Sequence, residues 1–273
     1  MNIEREMPIG IQDFEQLRTE EFVYVDKTQY VWNLVKTVRF IFLSRPRRFG
    51  KSLLLTTMKA YFLGKKDLFD GLAIENLEKD NKKGPWTEYP VFHLDFNSEK
   101  YIEEQSLDII IDQILLEFEQ RYAITERTTS LAGRFKQLIK IAHKTTGKQA
   151  VVLIDEYDKP LLQVIDNQKV LDDYRATLKA FYGVLKSESA HLRFVFITGV
   201  TRFSNVSIFS DLNQLNDISM DKNYSSICGI TTTELKKQFQ PEIKALAEEQ
   251  NITIQQCEQK LKQTYDGYHF HYN

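Results

Sequence analysis

Short apolar runs alternate with longer stretches in which apolar positions recur at helical spacing. The runs at 39–44, 91–96, 150–155 and 193–198 are rich in β-branched and aromatic residues, and Pro90 introduces the second. The run at 150–155 is apolar without alternation, as expected of a strand buried on both faces. Between the runs lie helical patterns. One follows the first run over 51–63. A second places Leu107, Ile110, Ile111, Ile114, Leu115 and Phe118 on one face, and a third does the same with Leu131, Phe135, Leu138, Ile139 and Ala142, with Gly147 as C-cap. A long helix over about 170–187 leads into the fourth run. Strand-helix alternation of this kind predicts an α/β fold: a central parallel sheet between two helical layers. After about Gly229 the character changes. Thr231 with Glu234 and Thr253 with Gln256 fit capping boxes, and no clear strand follows. The expected organisation is a core over 1–229 and a small helical appendage over 230–273, with no large core of its own.

Composition narrows the classes. The chain has 273 residues, 42% hydrophobic and 27% charged, with a formal net charge of -2. That is ordinary for a globular protein and argues against whole-chain electrostatic binding to nucleic acid. Cys228 and Cys257 match no metal spacing and suggest a reducing compartment. No apolar run approaches the roughly 18 residues of a membrane helix, and the polar, acidic N-terminus does not resemble a signal peptide. No membrane contact and a cytoplasmic location are expected.

The chemistry concentrates at the ends of the runs. Arg45-Pro46-Arg47-Arg48-Phe49-Gly50-Lys51-Ser52 follows the first run and opens a helix, the context a phosphate loop needs. In that reading the loop through Leu53 cradles phosphate, Lys51 reaches the β- and γ-phosphates, and the Ser52 hydroxyl ligates magnesium. The usual pattern is G-x-x-x-x-G-K-[ST], and its first glycine position is Arg45 here, so Gly50 is the loop's only glycine. The third run ends in Asp155-Glu156. Asp155 would hold the magnesium, and Glu156 would act as general base on the attacking water; alternatively, both simply solvate a strand end. Thr198 closes the fourth run, where a polar residue touches the γ-phosphate or the lytic water if that strand is inserted between the other two. Together the three features predict a P-loop NTPase that uses ATP and magnesium.

Other candidates remain open between two readings. Arg202 is either an arginine finger or a salt-bridge partner. No arginine follows it, so the appendage can offer the nucleotide only lysines such as Lys236, Lys237, Lys260 or Lys262. Arg45, Arg47 and Arg48 either surround an anion or form a solvated turn. His269 and His271 lack a third ligand and read as structural. Phe118, Phe181 and Tyr182 fall at core spacing rather than forming a platform for stacking bases.

Several strings together resemble the bacterial predicted AAA-ATPase-like family. They are Met7-Pro8-Ile9-Gly10 with Asp13-Phe14; Tyr24-Val25-Asp26-Lys27-Thr28; the long string from Ser44 to Ser52; Leu153-Ile154-Asp155-Glu156-Tyr157-Asp158; Thr198-Gly199-Val200-Thr201-Arg202-Phe203-Ser204; and Tyr265-Asp266-Gly267-Tyr268. A non-glycine start to the loop is normal for that family. The resemblance implies an AAA-type core with strand order 5-1-4-3-2 and a small helical lid. It also implies adenine binding by the segment before the first strand, which places Asp26 and Lys27 near the base. Members often continue into a PD-(D/E)xK nuclease-like domain. This chain stops at Asn273, where that continuation would begin, so a longer native protein is expected, and no cleavage is expected of this chain alone.

Three functions follow as expectations: an ATP-hydrolysing switch for a C-terminal effector, a nucleotide-binding regulatory module with little hydrolysis, and a nucleic-acid-interaction protein in which ATP is secondary. The arginine cluster with Arg47 and Arg48 motivates the last of these and the net charge of -2 argues against it; a C-terminal domain absent here is another route to nucleic acid. Assembly into a homo-oligomer is a further expectation from family analogy.

Overall fold

The computed structural model describes residues 6–79, 81, 86–97, 100–201, 207–209 and 212–271. Among the described residues five strands form one sheet: β1 (Phe40–Ser44), β2 (Val91–Asp95), β3 (Ala150–Asp155), β4 (Leu192–Gly199) and β5 (Asn216–Asp217). All pairings are parallel. The order is β2-β3-β4-β1-β5, which reads 5-1-4-3-2 from the β5 edge. β4 therefore lies between β1 and β3. β5 is the one strand the hydrophobic pattern misses: it is two exposed polar residues long, recruited by pairing with Ile41 and Phe42.

Helices cover both faces, which is why the inner strands are apolar through their middles. On one face Phe42, Val152, Ile154, Val195 and Ile197 pack against α5 (Ser106–Arg121), α6 (Leu131–Thr146) and α8 (Gln168–Ser187). On the other, Ile41, Leu43, Leu153 and Phe196 meet α1 (Phe14–Thr19), α2 (Thr28–Thr37) and α3 (Lys51–Phe62). Each fully buried Leu, Ile or Phe side chain stabilises by about 1.5–3 kcal/mol. Two short helices, α4 (Ala73–Lys79) and α7 (Lys159–Gln163), lie in the connections.

Local signals set the helix ends. The Ser130 hydroxyl accepts from the Gly133 N–H to start α6, and Gly147 ends it in the left-handed region at φ 68°. Thr231 and Thr253 head complete capping boxes with Glu234 and Gln256, opening α9 (Thr232–Gln238) and α11 (Ile254–Tyr265), with α10 (Gln240–Glu249) between them. The only buried apolar residues these three helices share among themselves are Ile243, Ala247 and Cys257. So small a cluster cannot hold the segment in place alone, and its contacts with the sheet-bearing part matter. Among the described residues no helix is long and apolar enough to cross a membrane.

Candidate functional site

Because the strands are parallel, their carboxyl ends share one edge of the sheet, where open α/β sheets bind ligands. The loop of residues 45–50 leaves β1 at this edge and opens α3. Arg48 (φ 66°) and Gly50 (φ 86°) both take the left-handed conformation. A non-glycine residue there costs about 1–2 kcal/mol, so the loop stores strain at Arg48. No side chain caps α3, and its first ring-closing bond runs from the Leu54 N–H to the Gly50 carbonyl. The earlier N–H groups of the first turn form an uncapped, electropositive end.

Chain segments far apart in sequence meet at this end. The Lys51 ammonium is 2.9 Å from a Glu156 carboxylate oxygen, and the side chains are only 3% and 14% exposed. The same ammonium donates to the carbonyls of Arg45 and Pro46 at 3.0 and 3.2 Å. Burial pushes the Glu156 carboxyl above its usual range, Lys51 pulls it back, and Asp155 and Asp158 push it up again. Glu156 itself is left-handed at φ 53°. Beside it, the buried Thr198 hydroxyl donates to the buried Asp155 carboxylate at 2.5 Å. The backbones are laced as well: the Arg45 N–H reaches the Gly199 carbonyl, and the Tyr157 N–H reaches the Thr198 carbonyl. The structure thus gathers Lys51, Asp155, Glu156 and Thr198. Ser52 lies half-buried in the first turn of α3. Arg202 lies outside the described residues.

The arginines of the loop separate. Arg45 is 1% exposed. Its guanidinium donates to the carbonyls of Ser44, Ser219 and Tyr224 at 2.9, 2.7 and 3.1 Å and sits 4.1 Å over the Phe270 ring. It ties the root of the loop to the segment after β5. Arg47 and Arg48 are exposed, and Pro46 is half-buried. The Phe49 ring meets Tyr268 at 4.7 Å and Phe270 at 5.5 Å, both edge-on, while the Phe49 carbonyl accepts from the Gly229 N–H. The phosphate-loop candidate is therefore in contact with the chain beyond α11.

Asp26 and Lys27 play different parts. One Asp26 oxygen accepts from the Thr28 N–H and hydroxyl, the other from the Ala73 N–H, which anchors α2 to α4. The Lys27 ammonium pairs with Glu234 at 2.5 Å, joining the segment before α2 to α9. The same Glu234 carboxylate completes the capping box with the Thr231 N–H.

Next to the loop is a cavity of about 440 Å³. Its walls are the segments around Pro8 and Ile9, Val23 to Val25, and Ile227 to Ile230; its floor is Gly50, Leu53, Leu54 and Thr57 of the loop and α3; and Lys27 and Phe239 stand at its edge. Among the described residues the lining is mostly apolar and includes no carboxylate. Cys228 lies in one wall, where burial pushes its thiol up to about 11 and leaves it unreactive near neutral pH.

Three residues at the site escaped the sequence reading. Ser219 accepts from the Ser44 N–H through its hydroxyl and from Arg45 through its carbonyl. The Tyr224 carbonyl also accepts from Arg45. Backbone acceptors some 175 positions away carry no sequence signature. Asp158 is the third. It is 1% exposed and accepts from the N–H groups of Val200 and Thr201 and from the Thr201 hydroxyl. Its signal was a further acid just past Asp155-Glu156.

Comparisons with known proteins agree with the architecture. Residues 8–209 match the family described as predicted AAA-ATPase. The chain is 39% identical over 244 residues to an uncharacterized protein in the vnfD 5' region of Azotobacter chroococcum mcd 1. That alignment covers 89% of this chain and 46% of the relative, so the chain spans less than half of the relative's length. No solved structure matches.

Proposed function

As the chain belongs to the predicted AAA-ATPase family, we propose that it binds ATP with magnesium, hydrolyses it, and acts as a nucleotide-dependent switch for a C-terminal effector. The observation that carries this reading is the meeting of Lys51 with Glu156 at 2.9 Å, with Asp155 and Thr198 alongside.

In this reading the uncapped first turn of α3 receives the phosphates. Lys51 holds the β- and γ-phosphate oxygens. To do so it leaves Glu156 and the two loop carbonyls, which exchanges one anion for another without stranding the ammonium. Glu156, released from the ion pair, orients the attacking water and takes its proton. Ser52 and Asp155 offer a hydroxyl and a carboxylate, hard oxygen donors that suit magnesium shared with phosphate. When bound, magnesium neutralises charge developing on the phosphate oxygens. Thr198, held by Asp155, stands on the strand between the loop and the acids. The apolar cavity takes the base. Val25 and Lys27 reach that cavity, while Asp26 supports the segment from behind.

The switch follows from what Arg45 and Phe49 touch. Phosphate binding reorders the loop, and its Arg45 and Phe49 side chains bear on Phe270 and Tyr268. Loop state is thereby passed to the C-terminal segment, with α9–α11 as a lid pinned by the Lys27–Glu234 pair.

The test is steady-state phosphate release beside ATP–magnesium affinity. Glu156→Gln keeps the shape of the side chain and removes the base. Turnover is expected to fall by at least about 100-fold with affinity nearly unchanged. Equal turnover in both proteins would remove Glu156 from the reaction. Binding without phosphate release by the wild type would favour a regulatory module that does not hydrolyse.

A further inference from the structure

The turn after β3 and the turn after β4 are physically interlocked. Asp158 is buried, and its carboxylate faces donors only: the Val200 N–H at 3.0 Å, the Thr201 N–H at 2.6 Å and the Thr201 hydroxyl at 2.6 Å. The Tyr157 hydroxyl lies 3.1 Å from that of Thr201. Gly199 passes so close that a Cβ there would stand 2.4 Å from the Tyr157 ring and 2.8 Å from the Asp158 carboxylate. One strand end therefore clasps the other immediately beside Glu156 and Thr198.

A turn of this kind does not need a buried charge. Hiding a carboxylate costs free energy unless every lone pair in use finds a donor. Asparagine would close a similar turn without that cost, but its NH₂ group would face an N–H. One carboxylate oxygen, Oδ2, takes all three of the bonds from Val200 and Thr201; among the described residues the other is reached only by the Val200 N–H, at 3.3 Å, which is where an asparagine would put its NH₂ group.

We infer that Asp158 is a positioning residue: its carboxylate holds the turn after β4 in the place that keeps Thr198 and Glu156 in working register. This rests on the ATP hydrolysis proposed above. Asp158 is bonded to neither Lys51 nor Glu156 and does not line the cavity; besides holding the turn, its charge is one of the influences that push the Glu156 carboxyl up. Its loss therefore affects the chemical step rather than nucleotide binding, because displacing a base by about 1 Å costs on the order of 100-fold in rate.

The experiment measures kcat, KM and ATP–magnesium affinity, with melting temperature as a check on folding, for the wild type, Asp158→Asn and Thr201→Val. Asp158→Asn is expected to lower kcat by about 30- to 100-fold with KM within about threefold. Thr201→Val removes one donor, keeps the side-chain volume and leaves both backbone N–H groups on Asp158. It is expected to lower kcat by about 5- to 10-fold with the same unchanged KM. Should Asp158→Asn fail to fold, Thr201→Val carries the test alone. Unchanged kcat in folded variants, or affinity lost in step with kcat, overturns the inference while leaving the hydrolysis reading intact. A wild type that binds ATP and releases no phosphate overturns the hydrolysis reading, and the positioning role with it.

Discussion

Lys51→Ala is expected to abolish measurable ATP turnover, a loss of at least about 1,000-fold, and to weaken ATP–magnesium binding by about tenfold or more. The ammonium is bonded within the loop itself, where it holds the carbonyls of Arg45 and Pro46. Alanine leaves those acceptors and Glu156 without it. The variant also carries a pH signature. Burial already holds the Glu156 carboxyl above its usual range, and Lys51 is the main influence lowering it. Without Lys51 the folded-state pKa rises further. An acid whose pKa is raised in the folded state binds its proton more readily there than in the unfolded chain. Its contribution to stability is intact below the unfolded-state pKa and declines as pH climbs toward the folded one. Lys51→Ala should therefore lose more melting temperature, relative to wild type, at pH 7 than at pH 5. Thermal melts of both metal-free proteins at the two values check the sign, and phosphate release checks the turnover. A variant that hydrolyses ATP at even a tenth of the wild-type rate would take Lys51 out of the mechanism.

Gly199→Ala is the second large effect. The added methyl would stand 2.4 and 2.5 Å from two carbons of the Tyr157 ring and 2.8 Å from Asp158. Neither neighbour can yield readily. The Tyr157 ring is buried between Phe42 and Phe209, with its hydroxyl at Thr201. Destabilisation of about 3 kcal/mol is expected, at the upper end of overpacking, with a drop of about 6–12 °C in melting temperature. Gly183→Ala makes a useful contrast. Gly183 lies inside α8 with nothing within 4 Å of its would-be Cβ, so alanine there should stabilise by about 0.5–1 kcal/mol. The same substitution, at two glycines, should shift the melting temperature in opposite directions. Equal effects would mean that the close approach at Gly199 does not exist.

How far the sequence could be read depended on where each signal is written. Strands buried on both faces announce themselves by apolar runs, so β1 to β4 fell within a residue of their expected positions. β5 has no such run, because it is recruited by Ile41 and Phe42 rather than formed by its own pattern. The capping boxes at Thr231 and Thr253 and the glycine stop at Gly147 were legible because a few adjacent residues encode them. α1 is six residues long, too short for periodicity to speak. α2, which buries Val31, Leu34 and Val35, did carry a readable spacing that the strand-first reading passed over.

The site divides in the same way. Lys51, Asp155, Glu156 and Thr198 were legible because each follows an apolar strand, and parallel pairing brings strand ends together. Arg45 read only as a charge near the loop. Its binding by the carbonyls of Ser219 and Tyr224 depends on backbone groups, which every residue has. The same holds for Asp158, whose partners are mainly N–H groups. The cavity had no signal in the sequence, since its walls come from segments near residues 8, 24 and 228 that share no local pattern.

The most direct measurement is a crystal structure of the chain with a non-hydrolysable ATP analogue and magnesium. The triphosphate is expected over the first turn of α3, with Lys51 drawn off Glu156 onto the phosphates, the metal held by Ser52 and Asp155, and the adenine in the cavity bounded by Val25, Leu53 and Gly229. An analogue bound elsewhere, or an intact Lys51–Glu156 pair with triphosphate present, would contradict the proposed nucleotide site.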